Sequence, residues 1–491
     1  MSYILTLDQG TTGTTAGLID TKTFSYFDQS DEDFKQFFPQ ADWVEHDLDI
    51  IWKTIENTVT KLLKKNNLTG QEIVAIGITN QRETTCAFNK QGKALAPAIV
   101  WQDRRTYEKC QSLKQHEQKI KEKTGLPLDP YFSATKMAWL LENNTAVQKA
   151  YTEKNLLLGT IDSFLLYKLT GVHATEGSNA SRTQLFNILT GKWDEELCRF
   201  FKIDSSLLAE VKPSFGLFGK TKNLSFLPDG IPVTGILGDQ QSALFGQNGT
   251  GEGSMKCTYG TGAFLLLNTG TKPYVSNLGL LTTISYQTEK EIYYALEGSC
   301  YIAGAAVQWL RDNLKIINHA KEIENLAEQV IDLNQMQDIL FLPFFTGLGS
   351  PYWKSEAKGT ITGLSRGTTS AQLARACLEG IALSINDLIE AFRAETKLSL
   401  SRIKVDGGAT QNNLLMQMQA DISTTDIIRP HIIETTSYGA GLAAAVGAQI
   451  LDIEHLQKFW KEEKIFNKET KYSSYLNIKK NNWKKFIEKN Y

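Results

Sequence analysis

Two turns rich in glycine and threonine, roughly half the chain apart, are well suited to binding an oligophosphate. Each stands between two short apolar runs; the turns are Asp8-Gln9-Gly10-Thr11-Thr12-Gly13 and Tyr259-Gly260-Thr261-Gly262. Glycine lets backbone N–H groups approach an anion closely, and threonine adds a small hydroxyl donor. One such turn is more often an ordinary β-hairpin. Because the turn occurs twice, the sequence predicts two hairpins that hold one nucleotide tail from opposite sides.

Asp239 is the carboxylate of greatest chemical interest. The apolar run Val233–Leu237 predicts a strand that ends just before it, and the residues from Gln240 onward predict a helix. Ligands of α/β folds bind beyond the carboxyl ends of strands, which favours a functional role. Aspartate is also a common N-cap, and this segment alone leaves that structural alternative open.

Two further strand ends carry polar residues. Arg82 and Glu83 follow the buried run Ile73–Ile78, and a cation beside an anion can donate to one hydroxyl of a polyol and accept from the next. The alternative is a surface ion pair of little energetic value. Asp406-Gly407-Gly408-Ala409 ends another predicted strand and, with Asn412, would admit a flat ring or a sugar against bare backbone.

Other nucleotide motifs fit less well. The sequence Gly219-Lys220-Thr221 has Ser214 where a Walker loop requires its first glycine, which excludes a P-loop kinase. The run from Gly439 to Ala444 matches a dinucleotide-binding pattern, but it follows a polar loop rather than a strand. Close helix packing explains these small residues better.

A serine hydrolase is the competing enzyme class. Gly363-Leu364-Ser365-Arg366-Gly367 matches a nucleophile elbow, and His431 and His455 follow in the required chain order. An elbow serine lies on the turn directly between strand and helix. Here Thr368-Thr369-Ser370 predicts a helix cap several residues later, which disfavours the hydrolase.

The predicted elements place these residues in two α/β halves. Apolar spacing predicts a helix over 48–62, and 73–78 reads as a buried parallel strand. Further helices are predicted over about 103–122 and 370–395. Each half is led by one hairpin, which indicates an internally duplicated fold with a cleft between two domains. The glycine-dense stretch Gly246–Gly253 predicts a boundary between residues 1–248 and 249–491.

Composition narrows the class of protein. A chain of 491 residues suits two domains, and its net charge of −2 provides no overall cationic surface for nucleic acid. The six cysteines lack zinc-type spacing and indicate a reducing compartment. No basic leader or membrane-length apolar run is found, so the sequence predicts a cytoplasmic protein with small-molecule partners and no membrane insertion.

Taken together, the motifs resemble the FGGY carbohydrate kinase family, and within it the members that act on glycerol. The resemblance is collinear over nearly the whole chain and rests on the segments already quoted and on further ones: Asn80-Gln81-Arg82-Glu83-Thr84-Thr85, Trp101-Gln102-Asp103-Arg104-Arg105-Thr106, Ser178-Asn179-Ala180-Ser181-Arg182-Thr183 and Gly347-Leu348-Gly349-Ser350-Pro351-Tyr352-Trp353. It implies two ribonuclease-H-like domains of the actin and hexokinase type, closing on ATP. It also implies ATP-dependent phosphorylation of glycerol to sn-glycerol 3-phosphate in glycerol uptake and catabolism. A competing class is a non-enzymatic nucleotide-binding or sugar-sensing protein of the same fold.

Site residues are carried over from the resemblance position by position. It implies that glycerol is bound by Arg82, Glu83, Tyr131, Asp239 and Gln240, with Trp101 and Phe264 against its carbons and Asp239 as general base. The ATP phosphates would meet Thr11, Thr12, Gly13 and Thr261, and the nucleoside would meet Gly304, Gln308, Gly408 and Asn412. Asp8 and Asp239 would lie near Mg²⁺. The resemblance further implies a homodimer or homotetramer, and an arginine usual in the first turn is replaced here by Thr15.

Overall fold

Two mixed β-sheets, one in each half of the chain, form the framework of the protein. The computed structural model describes residues 1–354 and 356–491. Strands of the first half are β1 (Tyr3–Gln9), β2 (Gly13–Asp20), β3 (Tyr26–Asp33), β4 (Glu45–His46), β5 (Ile73–Asn80), β6 (Thr85–Asn89), β7 (Ala98–Ile99), β8 (Leu156–Thr160), β9 (Ala174–Glu176), β10 (Phe186–Asn187), β11 (Lys192–Trp193), β12 (Glu210–Lys212), β13 (Phe215–Lys220) and β14 (Pro232–Gly238). Its helices are α1 (Leu48–Lys65), α2 (Tyr107–Ser112), α3 (Glu117–Thr124), α4 (Ser133–Asn143), α5 (Thr145–Thr152), α6 (Ile161–Thr170), α7 (Gly177–Ala180), α8 (Glu195–Phe201) and α9 (Asp239–Gly246).

The second half has the same alternation of strands and helices. Its strands are β15 (Met255–Tyr259), β16 (Ala263–Gly270), β17 (Leu281–Gln287), β18 (Ile292–Cys300), β19 (Leu340–Leu342), β20 (Thr360–Thr362), β21 (Arg402–Asp406), β22 (Asp426–Pro430) and β23 (Glu462–Phe466). Its helices are α10 (Gly304–Asp312), α11 (Glu322–Glu328), α12 (Ser370–Thr396), α13 (Asn413–Ser423), α14 (Thr435–Gly447) and α15 (Ser473–Asn490).

Both sheets follow one plan. In the first, with order β13-β14-β5-β1-β2-β3, the antiparallel hairpin β1–β2 is extended by β5 parallel to β1 and by β14 parallel to β5. In the second, with order β17-β18-β16-β15-β21-β22-β23, the hairpin β15–β16 is extended by β21 and β22 in the same way. An antiparallel strand follows at the corresponding edge of each, β13 beside β14 and β23 beside β22. The predicted hairpins and the internal duplication are therefore confirmed.

The central strand β5 is apolar on both sides because both faces of the first sheet are covered. Ile76 and Ile78 join the core beneath α1, whereas Ala75 packs in the cluster formed with α14. Such two-sided burial is what a continuous apolar run in a parallel strand indicates. The helix α14 approaches so closely that a Cβ atom added at Gly77 would lie 2.1 Å from the carbonyl oxygen of Ala440. The small residues of 439–444 thus serve helix packing, as expected.

One predicted helix is wrong in its extent. The stretch 103–122 begins as a turn, becomes helical only at Tyr107, and is divided into α2, a 3₁₀ turn over Lys114–His116 and α3. Asp103 explains the late start, since its carboxylate accepts from the backbone N–H and the guanidinium of Arg105. Aspartate side chains that bond locally compete with the helical backbone in this way.

The cysteines and the helices, among them the C-terminal one, bear on the other expectations from the sequence. Among the described residues all six cysteines are unpaired. None of the described helices combines the length and the apolar character required to span a bilayer. The lysine-rich C-terminal stretch forms α15, which buries Trp483 and Ile487 in the second core. α15 is therefore a surface helix with one apolar side.

Candidate active site

Parallel pairing of β5 with β14 brings Arg82 to Asp239. Asn80 and Gly238, the last residues of these strands, lie opposite each other in the sheet. The two side chains follow at the same edge, and Arg82 Nε lies 3.0 Å from Asp239 Oδ1. Glycine at 238 permits this approach, because a Cβ atom there would lie 2.7 Å from Arg82 Cδ. The arginine and the aspartate proposed from sequence therefore form one site.

Arg82 and Glu83 are not a surface ion pair. Their residues are only 3% and 2% exposed, and each pairs with a distant partner. Arg82 forms a two-pronged pair with Glu297, with N–O distances of 2.5 and 3.1 Å. Glu83 accepts from Arg182 at 2.5 Å, and Arg182 also donates to Glu297 at 3.0 Å. The surface alternative is therefore wrong.

The electrostatics of this buried cluster depend on close charge pairing. Burial by itself raises the pKa of Glu297, but Arg182 and Arg82 lower it to about 2. For Glu83, burial outweighs its arginine neighbours and raises the pKa. A buried carboxylate without a cation would be costly, so each arginine has a fixed place in the cluster.

Asp239 differs from its neighbours because it is accessible. Its side chain is 30% exposed, whereas that of Arg82 is 2% exposed. It does not cap α9: the N-cap is Gly238, and the carboxylate accepts from the adjacent Gln240 N–H at 2.7 Å. The N-cap alternative is therefore wrong. A carboxylate held by Arg82 at one oxygen and partly open to solvent can accept a proton from a small bound molecule.

Aromatic side chains border the same region. Trp101 and Tyr131 meet edge to face with ring centroids 5.6 Å apart. The Trp101 indole N–H donates to the hydroxyl of Thr11 at 3.0 Å, which joins this aromatic pair to the first Gly/Thr turn. Phe264 is half-buried on β16, with Thr258 and Ser299 on either side. Apolar walls of this kind suit the carbon side of a polyol.

Both Gly/Thr turns leave a threonine side chain open. Thr12 and Thr261 are exposed, and in the part of the chain that the structure describes neither hydroxyl has a hydrogen-bond partner. The first turn is closed by a bond from Gly10 N–H to Gly13 C=O, and the second by a bond from Gly260 N–H to Gly262 C=O, each 2.9 Å long. Their shared geometry follows from the duplicated sheet plan.

The residues assigned to the nucleoside lie around the second turn. Gly304 begins α10 and donates to the Gly260 carbonyl, so this helix starts directly against the turn. Gln308 and Gly408 are exposed, and a Cβ atom at Gly408 would meet nothing within 4 Å. Asn412 caps α13 through its Oδ1, which accepts from Leu415 N–H. Gln308 and Gly408 thus leave open surface near the second turn.

Asp8 and Asp239 are two carboxylates of this region that could hold a divalent cation. Asp8 lies on β1, separated from β14 only by β5. Burial raises the pKa of Asp8 to about 8, with added repulsion from Asp239, Glu434 and Asp31. A cation would relieve that repulsion. No cluster of three or more His, Cys, Asp or Glu ligands occurs among residues 1–354 and 356–491.

Three charged residues of the site were missed as functional residues. Arg182 lies in the segment Ser178–Thr183, where the sequence predicted no function for it, and no function was predicted for Glu297 or Lys256. Lys256 is fully buried on β15 and donates to Gln240 and, at 2.7 Å, to Thr258. Glu297 and Lys256 each stand within an apolar strand, and a charge in such a position is the signal that could have revealed them.

Ser365 has no hydrogen bond to the site residues in the part of the chain that the structure describes. Its hydroxyl contacts Gly367 N–H and Thr368, and the residue is exposed. Thr369 caps α12, with Gln372 completing a capping box. The helix therefore begins beyond the serine, which contradicts the geometry of a nucleophile elbow.

Comparison with known families gives matches in both halves. The N-terminal domain of the FGGY family of carbohydrate kinases matches residues 3–246. The C-terminal domain of the same family matches residues 255–448. The two matches fall one on each sheet.

Curated relatives extend over nearly the whole chain. The glycerol kinase of Myxococcus xanthus is 48% identical over 96% of this chain and 95% of its own length. The glycerol kinase of Staphylococcus haemolyticus is 43% identical over 99% of this chain and 98% of its own.

Solved structures show the same architecture. Plasmodium falciparum glycerol kinase with ADP superposes with a TM-score of 0.92 at 35% identity, covering 100% of this chain and 98% of that one. The xylulose kinase of Lactobacillus acidophilus has a TM-score of 0.88 at 20% identity over 99% of this chain and 97% of its own, a likeness of fold alone.

Proposed function

The chain belongs to the FGGY family of carbohydrate kinases, and from this membership we propose that it transfers the γ-phosphoryl group of ATP to glycerol. The product is sn-glycerol 3-phosphate. The observation that carries this conclusion is the identity of 43–48% to curated glycerol kinases over almost the full length of the chain. The enzyme would thus serve glycerol uptake and catabolism.

Acceptor binding is assigned to the cluster at the ends of β5 and β14. Arg82 and Gln240 would donate to glycerol hydroxyls, and Glu83 and Asp239 would accept from them. Tyr131, Trp101 and Phe264 would contact the carbon chain. This assignment is supported by the Arg82–Asp239 contact and by the Trp101–Tyr131 pair. A planar guanidinium with fixed donors suits the recognition of neighbouring hydroxyls.

Asp239 would act as general base. A terminal glycerol oxygen attacks the γ-phosphorus, its proton passes to the Asp239 carboxylate, and the bond from phosphorus to the departing ADP oxygen breaks. The partial exposure of this carboxylate supports the role, because the acceptor must reach it. Phosphoryl transfer has a loose transition state, so positioning and charge stabilisation are expected to provide most of the acceleration.

The nucleotide is assigned to the two Gly/Thr turns. Thr11, Thr12 and Gly13 would bind phosphate oxygens from the first half and Thr261 from the second, with Gly304, Gln308, Gly408 and Asn412 around the nucleoside. The unpartnered hydroxyls of Thr12 and Thr261 support this placement. Asp8 and Asp239 would hold Mg²⁺, which binds through one or two carboxylates and substrate phosphates. When bound, Mg²⁺ neutralises charge on the transferring phosphate.

Further expectations concern the whole molecule. We expect a cytoplasmic homodimer or homotetramer that neither inserts into a membrane nor binds nucleic acid. The unpaired cysteines agree with a reducing compartment, and the net charge of −2 provides no overall cationic surface. A domain boundary at 248/249 is supported by the gap between the two family matches, which end at 246 and resume at 255.

One assay tests the proposed function. ADP release is followed with ATP and Mg²⁺ in the presence and absence of glycerol, and the product is identified as sn-glycerol 3-phosphate. Release that requires glycerol is expected, while a pentulose in place of glycerol should support little. Hydrolysis of model esters that disappears in Ser365→Ala would favour a serine hydrolase. Nucleotide binding without release would favour a sensor.

A further inference from the structure

Two side chains from the second half of the chain contact acceptor-site residues of the first half. Glu297 on β18 pairs with Arg82, and Lys256 on β15 donates to Gln240. We propose that Glu297 and Lys256 are positioning residues that fix Arg82 and Gln240 for glycerol. This inference rests on the proposed function, because it concerns the same acceptor site.

The second sheet holds the two residues at a set separation. Leu266 on β16 lies opposite Lys256 on one side and opposite Glu297 on the other, so all three share one rung of the sheet. Neighbouring strands are about 4.8 Å apart, which places the two backbones roughly 10 Å from each other. Their side chains project from the same face. The sheet therefore presents one anion and one cation to the acceptor site as a rigid pair.

Glu297 determines how the Arg82 guanidinium is turned. Its two carboxylate oxygens accept hydrogen bonds from Nη1 and Nη2 of Arg82 at 2.5 and 3.1 Å. A fork of this kind fixes the plane of the guanidinium as well as its position. The Nε edge of Arg82 then faces Asp239, and Nε lies 3.0 Å from Asp239 Oδ1. Without Glu297 the guanidinium would keep only the contact of Nη1 with Gln241 and that of Nε with Asp239, and its plane would no longer be fixed for the acceptor.

Lys256 performs the corresponding task for Gln240. Its ammonium donates to the Gln240 amide oxygen, which leaves the amide N–H₂ group to face the acceptor. The same ammonium donates to Thr258 at 2.7 Å, one residue before the second Gly/Thr turn begins. Lys256 is fully buried, so bulk water does not replace either contact. The amide of Gln240 is therefore orientated from the strand that carries a nucleotide turn.

The test compares Glu297→Gln with a matched control. Glutamine keeps the shape and removes the charge, so KM and the equilibrium Kd for glycerol should rise about 10-fold or more, the effect of losing a hydrogen bond to a charged group. KM for ATP should change less than about twofold. The control is Glu379→Gln on α12, because Glu379 is buried like Glu297 and pairs with buried Lys479 at 3.0 Å. It should lower the melting temperature and leave the glycerol constants unchanged.

A second variant keeps the inference testable should Glu297→Gln not fold. Lys256→Met retains the aliphatic stem and removes the donor to Gln240, and a rise in KM for glycerol of about fivefold is expected. The inference would be overturned if KM and Kd for glycerol stayed within about twofold of wild type in whichever of Glu297→Gln and Lys256→Met folds. An equal change in the Glu379→Gln control would overturn it as well. Absence of glycerol-dependent ADP release in the wild type would instead overturn the proposed function.

Discussion

Replacing Asp239 with asparagine separates a role as general base from a role in the charge cluster. Asparagine keeps an oxygen at the place of Asp239 Oδ1, which accepts from Gln240 N–H and lies 3.0 Å from Arg82 Nε. The side chain is 30% exposed, so little buried surface is disturbed. What disappears is the proton acceptor and one carboxylate assigned to Mg²⁺.

The expected loss is large in turnover and small in stability. Removal of a positioned base costs about 10²–10⁴-fold, or about 2.7–5.5 kcal/mol of transition-state stabilisation. Loss of a negative charge in the first turn of α9 costs about 0.3–1 kcal/mol of folding free energy. Glycerol binding should weaken only modestly, because Arg82 and Glu83 remain. The fall should therefore appear in kcat rather than in the glycerol Kd.

The assay is steady-state ADP release together with calorimetric titration of glycerol and thermal unfolding. Asp49→Asn is the matched control, since Asp49 is an exposed aspartate in the first turn of α1. It removes the same kind of helix charge without touching the site. Near-normal turnover of Asp239→Asn would refute the assignment of the base. A loss confined to glycerol Kd would show that Asp239 only binds the acceptor.

Three further outcomes follow from the geometry. Thr261→Val keeps the β-branched shape, so kcat should fall by about 10-fold or more while glycerol binding is retained, and unchanged kcat would make the second turn purely structural. Gly77→Ala would place a Cβ atom 2.1 Å from the Ala440 carbonyl oxygen and should lower the free energy of unfolding, measured by urea denaturation, by about 1–3 kcal/mol or more. The control Gly251→Ala should be neutral, because its Cβ atom would meet only a side-chain oxygen at 3.9 Å. Burial raises the pKa of Glu297, but Arg182 and Arg82 lower it from 4.5 to about 2. The contribution of this carboxylate to the free energy of unfolding should therefore be complete above pH 4.5 and lost as the pH falls toward 2. Glu297→Gln should remove that part of the acid dependence, which urea unfolding at several pH values measures. Equal acid dependence in the two proteins would contradict the last expectation.

Local features of the fold could be predicted because local rules produce them. Glycine and threonine between apolar runs predicted both hairpins, and the apolar run at 73–78 predicted the buried strand β5. A helix cap was predicted within Thr368-Thr369-Ser370, and Thr369 caps α12 there in a capping box. The helix over 103–122 failed because Asp103 bonds to Arg105, and periodicity does not register such a side-chain contact.

The contacts within the site could not be predicted from the order of residues along the chain. That Arg82 and Asp239 meet follows from the parallel register of β5 and β14, which the sequence does not state. Arg82 and Glu83 are adjacent in the chain, yet they pair with Glu297 and Arg182 respectively. Adjacent residues at a strand end need not face each other, and the partners within reach are Glu297 on β18 of the second sheet and Arg182, just after α7 in the first half.

The sequence by itself determined the duplicated α/β plan, the positions of the two turns and the membership in a kinase family, because spacing and motif are written along the chain. Tertiary structure decided which charges are buried together. The contacts of Glu297 and Lys256 depend on the strand order β18-β16-β15, which places both side chains on the sheet face that contacts Arg82 and Gln240. Burial makes that pairing obligatory, since an isolated charge is costly away from water, and burial is a property of the assembled fold.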